Sequence, residues 1–148
     1  MGLFNGAGRI GWAALSDRIG RMAAFLGMLA LQGVCFLLLP HTPFAIFAIL
    51  AAGIYLAYGG GFGTMPAAAA DFFGTKNAGA IYGAMIVAWS IGGIVGPLIA
   101  ASLYESSGGY TLPFTVIGII AAVAVVLPLL TKPPAATAAE AKVSARRS

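Results

Sequence analysis

The sequence predicts an all-α, polytopic membrane helix bundle, and three observations carry this prediction. Of the 148 residues, 60% are hydrophobic and only 8% are charged, whereas soluble domains have about 25% charged residues. The mean hydropathy is +0.96, so polar side chains are too few to cover a compact surface in water. Long stretches without an ionisable side chain recur at the length that crosses a ~30 Å hydrocarbon layer. Lipid is therefore the predicted solvent for most of the surface.

The first element, residues 1–15, is apolar apart from Asn5 and Arg9. It is too short to cross a bilayer comfortably. A signal peptide is not indicated, because a positive n-region and a small-residue cleavage site are missing and Arg9 falls where the apolar core should be. We therefore expect the inner end of a truncated transmembrane helix, whose first half is not in this chain.

Four spans are expected after a polar motif loop at residues 16–21. They cover residues 22–40, 44–70, 78–104 and 110–131. A Pro-bracketed turn separates the first two spans, and the second is long enough that it must tilt, kink or overhang the membrane. The tail, residues 132–148, is small, polar and basic, and this composition favours disorder.

The charges of the links predict the orientation. Arg18, Arg21 and Lys76 lie in the first and third links, whereas the second and fourth links carry only His41 and Glu105. Basic residues are retained on the cytoplasmic side of a membrane, so we expect an inner-membrane protein with the basic links and the C-terminal tail in the cytoplasm. The net charge of +4 is then a signal of orientation and not of a nucleic-acid partner.

The composition also excludes several kinds of chemistry. Cys35 is the single cysteine and His41 the single histidine, so neither a disulfide framework nor a His-based zinc site is expected. A G-x-G-x-x-G string at residues 6–11 follows no strand and lacks the acidic residue that should come about 20 residues later. Asp71 and Glu105 are expected on opposite membrane faces, which leaves no catalytic pair. We predict no enzyme activity, no cofactor and no metal.

The sharpest local pattern is Ser-Asp-Arg-Ile-Gly-Arg at residues 16–21. A tight link needs a glycine to turn, an acid near a helix N-terminus, and arginines that stay in the headgroup layer. The pattern resembles the loop signature of the major facilitator superfamily, with departures at Ala13 and Met22. The resemblance implies a latch for the cytoplasmic gate, and a solvated turn is the alternative. The residues concerned are Asp17, Arg18, Gly20 and Arg21.

A second pattern lies in the third span. Gly83, Gly92, Gly96 and Pro97 resemble the antiporter motif of the same family. That motif usually lies in the fifth helix, and this span would be the eleventh helix, which is the counterpart of the fifth in the family's internal repeat. Glycines on one face let two helices approach closely, and a proline permits a bend. Ordinary glycine-mediated packing is the alternative.

A third pattern is the glycine-rich run at residues 59–66, which ends in Pro66. In lipid, weakened helix of this kind is tolerated only where protein covers it or where it lines a cavity. Together with residues 70–77, the run resembles the tenth helix and following loop of the oxalate/formate antiporter and monocarboxylate porter branch.

Arg9 lies eight residues before Asp17, which places it ~12 Å deeper than the loop on a helical rise. An arginine that faced lipid there would cost on the order of 3 kcal/mol, so it should face a cavity or carbonyl groups. The resemblance implies that Arg9 binds a substrate carboxylate, and snorkelling to the headgroups is the alternative. Oxalate porters also use a lysine in the eleventh helix, and residues 78–104 contain none. A monocarboxylate is therefore expected rather than a dianion.

Aromatic residues can line the same pathway. Trp89 lies in the middle of the third span, where tryptophan is unusual because it prefers membrane interfaces. Tyr58 and Tyr82 are further substrate-binding candidates, and interhelical packing is the alternative for each of the three.

These resemblances imply a partial major facilitator fold, equivalent to the end of helix 8 through helix 12. The implied function is secondary transport of a small organic anion, by exchange or proton symport. No Asp or Glu lies within the predicted spans, which favours exchange. The expected partners are the lipid bilayer, the anion, and the missing N-terminal part of a transporter or another membrane protein. The alternative is a non-transporting helical module, or a truncated relic, that docks onto another membrane protein.

Overall fold

The computed structural model describes residues 1–131, and the regular structure of this part is entirely helical. The elements are α1 (Gly2–Ile19), α2 (Arg21–Leu38), a 3₁₀ turn (Leu39–His41), α3 (Phe44–Phe73), α4 (Ala78–Ser107), α5 (Thr111–Ala124) and α6 (Val126–Leu130). The predicted all-α class is confirmed. The tail for which disorder was predicted, residues 132–148, lies outside the described residues.

Within residues 1–131, four helical segments are long and apolar enough to cross a membrane. They are Arg21–His41, Phe44–Phe73, Ala78–Ser107 and Thr111–Leu130. The last segment joins α5 to α6 through Val125. Pro128 explains this break, because it has no N–H to donate to the carbonyl group of Ala124 and its ring crowds that group.

The motif loop predicted at residues 16–21 is almost absent, which corrects the expected boundary. Helix α1 continues through Ile19 and α2 begins at Arg21, so only Gly20 separates them. Gly20 has φ 93°, a conformation that glycine adopts without steric cost. The Ser16 hydroxyl donates a hydrogen bond to the carbonyl oxygen of Ala13 at 2.7 Å, so Ser16 lies within the last turns of the helix. The bounds predicted for the other helices differ from the observed ones by less than one turn.

The closest helix pair is α1 with α3. A Cβ atom on Gly8, Gly59 or Gly63 would overlap a backbone carbonyl group of the opposite helix, so these glycines allow the two backbones to meet. Small residues produce close contacts of this kind between helices in lipid. The adjoining core contains Ala24, Met28 and Ala57, with Trp12 packed against it.

Helix α4 has no buried residue in this structure. A Cβ atom on Gly83, Gly92 or Gly96 would meet no atom within 4 Å, so the close packing predicted at these glycines does not occur within residues 1–131. The expectation that the three glycines share one face is also wrong. Gly92 lies nine positions after Gly83, and at ~100° per residue the two glycines project from opposite sides of the helix.

Candidate functional site

The first candidate site surrounds Arg9, on the face of α1 that meets α3. The Arg9 guanidinium lies over the ring of Phe62, with 5.0 Å between Cζ and the ring centroid. Its Nε donates a hydrogen bond to Oδ1 of Asn5 at 3.1 Å. Asn5 lies one turn farther from the Gly20 link, so this bond holds the guanidinium away from that link. A side chain that snorkelled towards the link would extend in the opposite direction.

Three aromatic rings continue from Arg9 towards α4. Phe62 lies 4.7 Å from Trp89 and 5.5 Å from Tyr58 between ring centroids, and Tyr58 lies 5.0 Å from Trp89. The indole N–H of Trp89 donates a hydrogen bond to the Tyr58 hydroxyl oxygen at 3.0 Å. We call Tyr58, Phe62 and Trp89 the aromatic cluster. It joins α3 to α4 beside a cation, and its three edge-on or tilted contacts are the geometry that aromatic rings prefer.

The glycine-rich run of α3 explains how these side chains meet. Tyr58 and Phe62 are four residues apart, so they project from the same face of the helix. Gly59, Gly60 and Gly61 are buried, and a Cβ atom on Gly61 would lie 3.5 Å from the Trp89 ring. Of the two environments expected for this run, cover by protein or the lining of a cavity, the structure shows cover by protein at these three glycines.

The structure brings together three of the four residues that the sequence singles out for substrate binding. Arg9, Tyr58 and Trp89 form one site, whereas Tyr82 lies seven residues before Trp89 on α4, ~10 Å away along the helix, and is outside the cluster. Sequence reasoning missed Phe62 and Asn5. Both lie one helical turn from a predicted residue, and this spacing is the signal that could have identified them.

The second candidate site is an ion-pair network at the opposite end of α1. Nη1 of Arg21 lies 2.6 Å from Oδ1 of Asp17, and Nε of Arg21 lies 2.8 Å from Oδ2 of Asp71. Nη1 also donates to the Ser16 hydroxyl at 2.5 Å. We call Ser16, Asp17, Arg21 and Asp71 the latch, because they connect the ends of three helices through charge-assisted hydrogen bonds.

The latch lines a cleft of about 440 Å³. The latch contains two of the four predicted gating residues, Asp17 and Arg21. Of the other two, Gly20 provides the turn between α1 and α2, and the Arg18 side chain is exposed. Sequence reasoning missed Asp71, which lies 50 residues after Arg21. Both carboxylates of the latch are engaged by Arg21, and among residues 1–131 no group of three His, Cys, Asp or Glu could hold a metal ion.

Comparison with known proteins identifies the family. The model of the Major Facilitator Superfamily matches residues 1–148, the whole chain. The chain belongs to the Major Facilitator Superfamily. Because its described part contains four apolar helices, this superfamily member is a multi-pass membrane protein in contact with lipid. Membership points to membrane transport rather than to an enzyme.

One curated relative is Apicoplast pyruvate carrier 1 of Toxoplasma gondii. It is 30% identical over 82 residues, which is 53% of this chain and 15% of the carrier. The match therefore spans a minor part of the carrier's length. No solved structure matches this chain.

Proposed function

We propose that this superfamily member takes part in secondary transport of a small organic anion, and that Arg9 binds the anion's carboxylate. The observation that carries the proposal is which nitrogens of the Arg9 guanidinium are already engaged by the protein. Within residues 1–131, Nε is bound by Asn5 and the face lies on Phe62, while both terminal nitrogens lie away from any carboxylate. A guanidinium presented in this way can bind a carboxylate through two parallel hydrogen bonds.

A monocarboxylate is the proposed substrate class. Arg9 supplies one positive charge, and α4 contains no lysine to supply a second one. The aromatic cluster offers an apolar wall for the short carbon chain of such an acid. The similarity to a protein named as a pyruvate carrier supports this class.

Anion exchange is the proposed mode of transport. Transport in the superfamily proceeds by rocking of two halves around a central site. The two predicted spans that carry the aromatic cluster, residues 44–70 and 78–104, contain no Asp or Glu that could carry a proton, so we favour exchange over proton symport. The latch would hold the α1–α2 link against α3 while the cytoplasmic side is closed.

The placement of this chain in a transporter is part of the same proposal. We assign α1 to the end of helix 8 and the four spans to helices 9 to 12 of a twelve-helix protein, in an inner membrane with the latch on the cytoplasmic side. The remaining helices of the transporter would be its partner. In this branch of the superfamily, the oxalate/formate or monocarboxylate branch, the eighth helix would carry the substrate-binding arginine.

Uptake of radiolabelled pyruvate into proteoliposomes that contain the chain together with the remaining helices of the proposed transporter tests the function. The Arg9→Ala variant is expected to lose uptake at least about tenfold, because a charge-assisted pair contributes on the order of 1.5–3 kcal/mol. Lys76→Ala is the matched control, since it removes one positive charge from a link outside the site. Uptake by Arg9→Ala at the parent rate, with intact membrane insertion, would contradict the proposal and leave snorkelling as the role of Arg9.

A second candidate function is a membrane-embedded module that docks onto another membrane protein without transporting anything. The bare surface of α4, where no residue is buried, favours it. The same proteoliposomes distinguish the two functions, because a docking module takes up no pyruvate in any variant.

A further inference from the structure

We infer that Asn5 is a positioning residue for anion binding: it aligns the Arg9 guanidinium through a neutral hydrogen bond and leaves the positive charge uncompensated for the substrate. The inference rests on the proposed function and adds to it a residue that fixes the charge of the site. It starts from the single hydrogen bond between the Asn5 amide oxygen and Arg9 Nε.

The geometry leaves one edge of the guanidinium for a ligand. Asn5 engages Nε, and the Phe62 ring lies against the guanidinium at 5.0 Å. The edge formed by the two terminal nitrogens is the one that pairs with a carboxylate through two hydrogen bonds. Asn5 therefore occupies the one nitrogen that this end-on pairing does not need.

The backbones of both residues are fixed by α3. The carbonyl group of Asn5 lies against Gly59 and that of Arg9 lies against Gly63, each so closely that a Cβ atom would overlap it. The side-chain hydrogen bond thus adds to a rigid helix contact. A guanidinium held this way has less conformational freedom to lose when an anion binds.

The neutrality of Asn5 sets the charge of the site. Asp17 and Asp71 pair with Arg21 at the latch, and Glu105 lies 16 residues beyond Trp89 on α4, ~24 Å away along the helix. An aspartate in place of Asn5 would have the same shape and could accept the same bond. It would, however, neutralise Arg9 and compete with the substrate, because an ion pair within the helix replaces the ion pair with the ligand.

Pyruvate titrations of the purified protein in detergent, followed by Trp89 fluorescence in a Trp12→Phe background, test the inference. Asn5→Asp is expected to raise the apparent Kd for pyruvate at pH 7 at least about tenfold, which corresponds to about 1.4 kcal/mol. Asn5→Ala loses the alignment but keeps the charge, so we expect a rise of about two- to fivefold. Asn77→Asp, at the N-terminus of α4, is the matched control and should bind like the parent.

The order of the two Asn5 variants decides the outcome. If Asn5 only packs, the isosteric Asn5→Asp will bind better than Asn5→Ala, and this order overturns the inference. Parent-like binding by Asn5→Asp overturns it as well. If the parent protein binds no pyruvate, the proposed function fails and the role of Asn5 fails with it. Size-exclusion profiles of both variants verify that the helices assemble.

Discussion

At the level of single residues, the site depends on which polar atoms are already engaged. Trp89 donates its indole N–H to the Tyr58 hydroxyl oxygen, so the hydroxyl proton of Tyr58 remains for another acceptor. Position within the predicted spans singled out Arg9 and Trp89, because an arginine or a tryptophan deep in a membrane is unusual, and the family resemblance implied the carboxylate-binding role of Arg9. They could not predict the hydrogen bond between α3 and α4, since its partners are 31 residues apart.

This hydrogen bond can be tested by Trp89→Phe, which keeps an aromatic ring but removes the donor. A neutral hydrogen bond contributes about 0.5–1.5 kcal/mol. Its loss should therefore raise the KM for pyruvate uptake about two- to tenfold. Trp12→Phe is the matched control, because the buried indole N–H of Trp12 has no hydrogen-bond partner among the described residues. Equal effects of the two variants would show that loss of indole volume, and not of the hydrogen bond, alters uptake.

At the level of helices, the glycines show where sequence reasoning succeeds and where it fails. Glycine in a span indicates close packing, and the α1–α3 contact through Gly59 and Gly63 has this character. The spacing of four residues puts both on one face. The sequence also pointed to Gly92 and Gly96 on α4, yet a Cβ atom at either position would meet no atom of another described helix within 4 Å. Spacing identifies a face of a helix, whereas the identity of the neighbouring helix depends on the whole bundle.

Gly63→Ala tests the contact between α1 and α3. The added Cβ atom would overlap the carbonyl oxygen of Arg9, so the two helices must separate, at a cost of about 1–3 kcal/mol. We expect a lower midpoint of thermal unfolding in detergent and a higher KM for pyruvate, because Arg9 moves with the backbone. Gly11→Ala on α1 is the control, since its Cβ atom would meet nothing within 4 Å. If Gly63→Ala unfolds at the same temperature as Gly11→Ala, the two helices are not held together here.

At the level of the whole molecule, lipid makes the fold class predictable and the links hard to predict. Chain segments in a hydrocarbon layer must satisfy their own backbone polar groups, so long apolar runs can only be helices. The polar link at residues 16–21 had no such constraint. It is helical up to Ile19, and Gly20 with its φ of 93° makes the turn alone. The partner of Arg21 on α3, Asp71, depends on how the helices assemble, and local sequence carries no signal for it.

The latch joins these helices, and Asp71→Asn tests whether it controls access to the cleft that it lines. The Arg21 side chain is 18% exposed and that of Asp71 is 50% exposed, so the lost ion pair contributes about 0.2–1 kcal/mol.

A cysteine at Ala23, in a Cys35→Ser background, lies in the cleft lining and reports opening through its rate of reaction with an impermeant maleimide. By the free energy of such a pair, Asp71→Asn should raise this rate by about 1.5- to fivefold. High salt should shrink the difference, because it screens the parent ion pair. Glu105→Gln, which removes a carboxylate far from the latch, should leave the rate unchanged, and equal rates in all three proteins would mean that the Arg21–Asp71 pair does not hold the cleft closed.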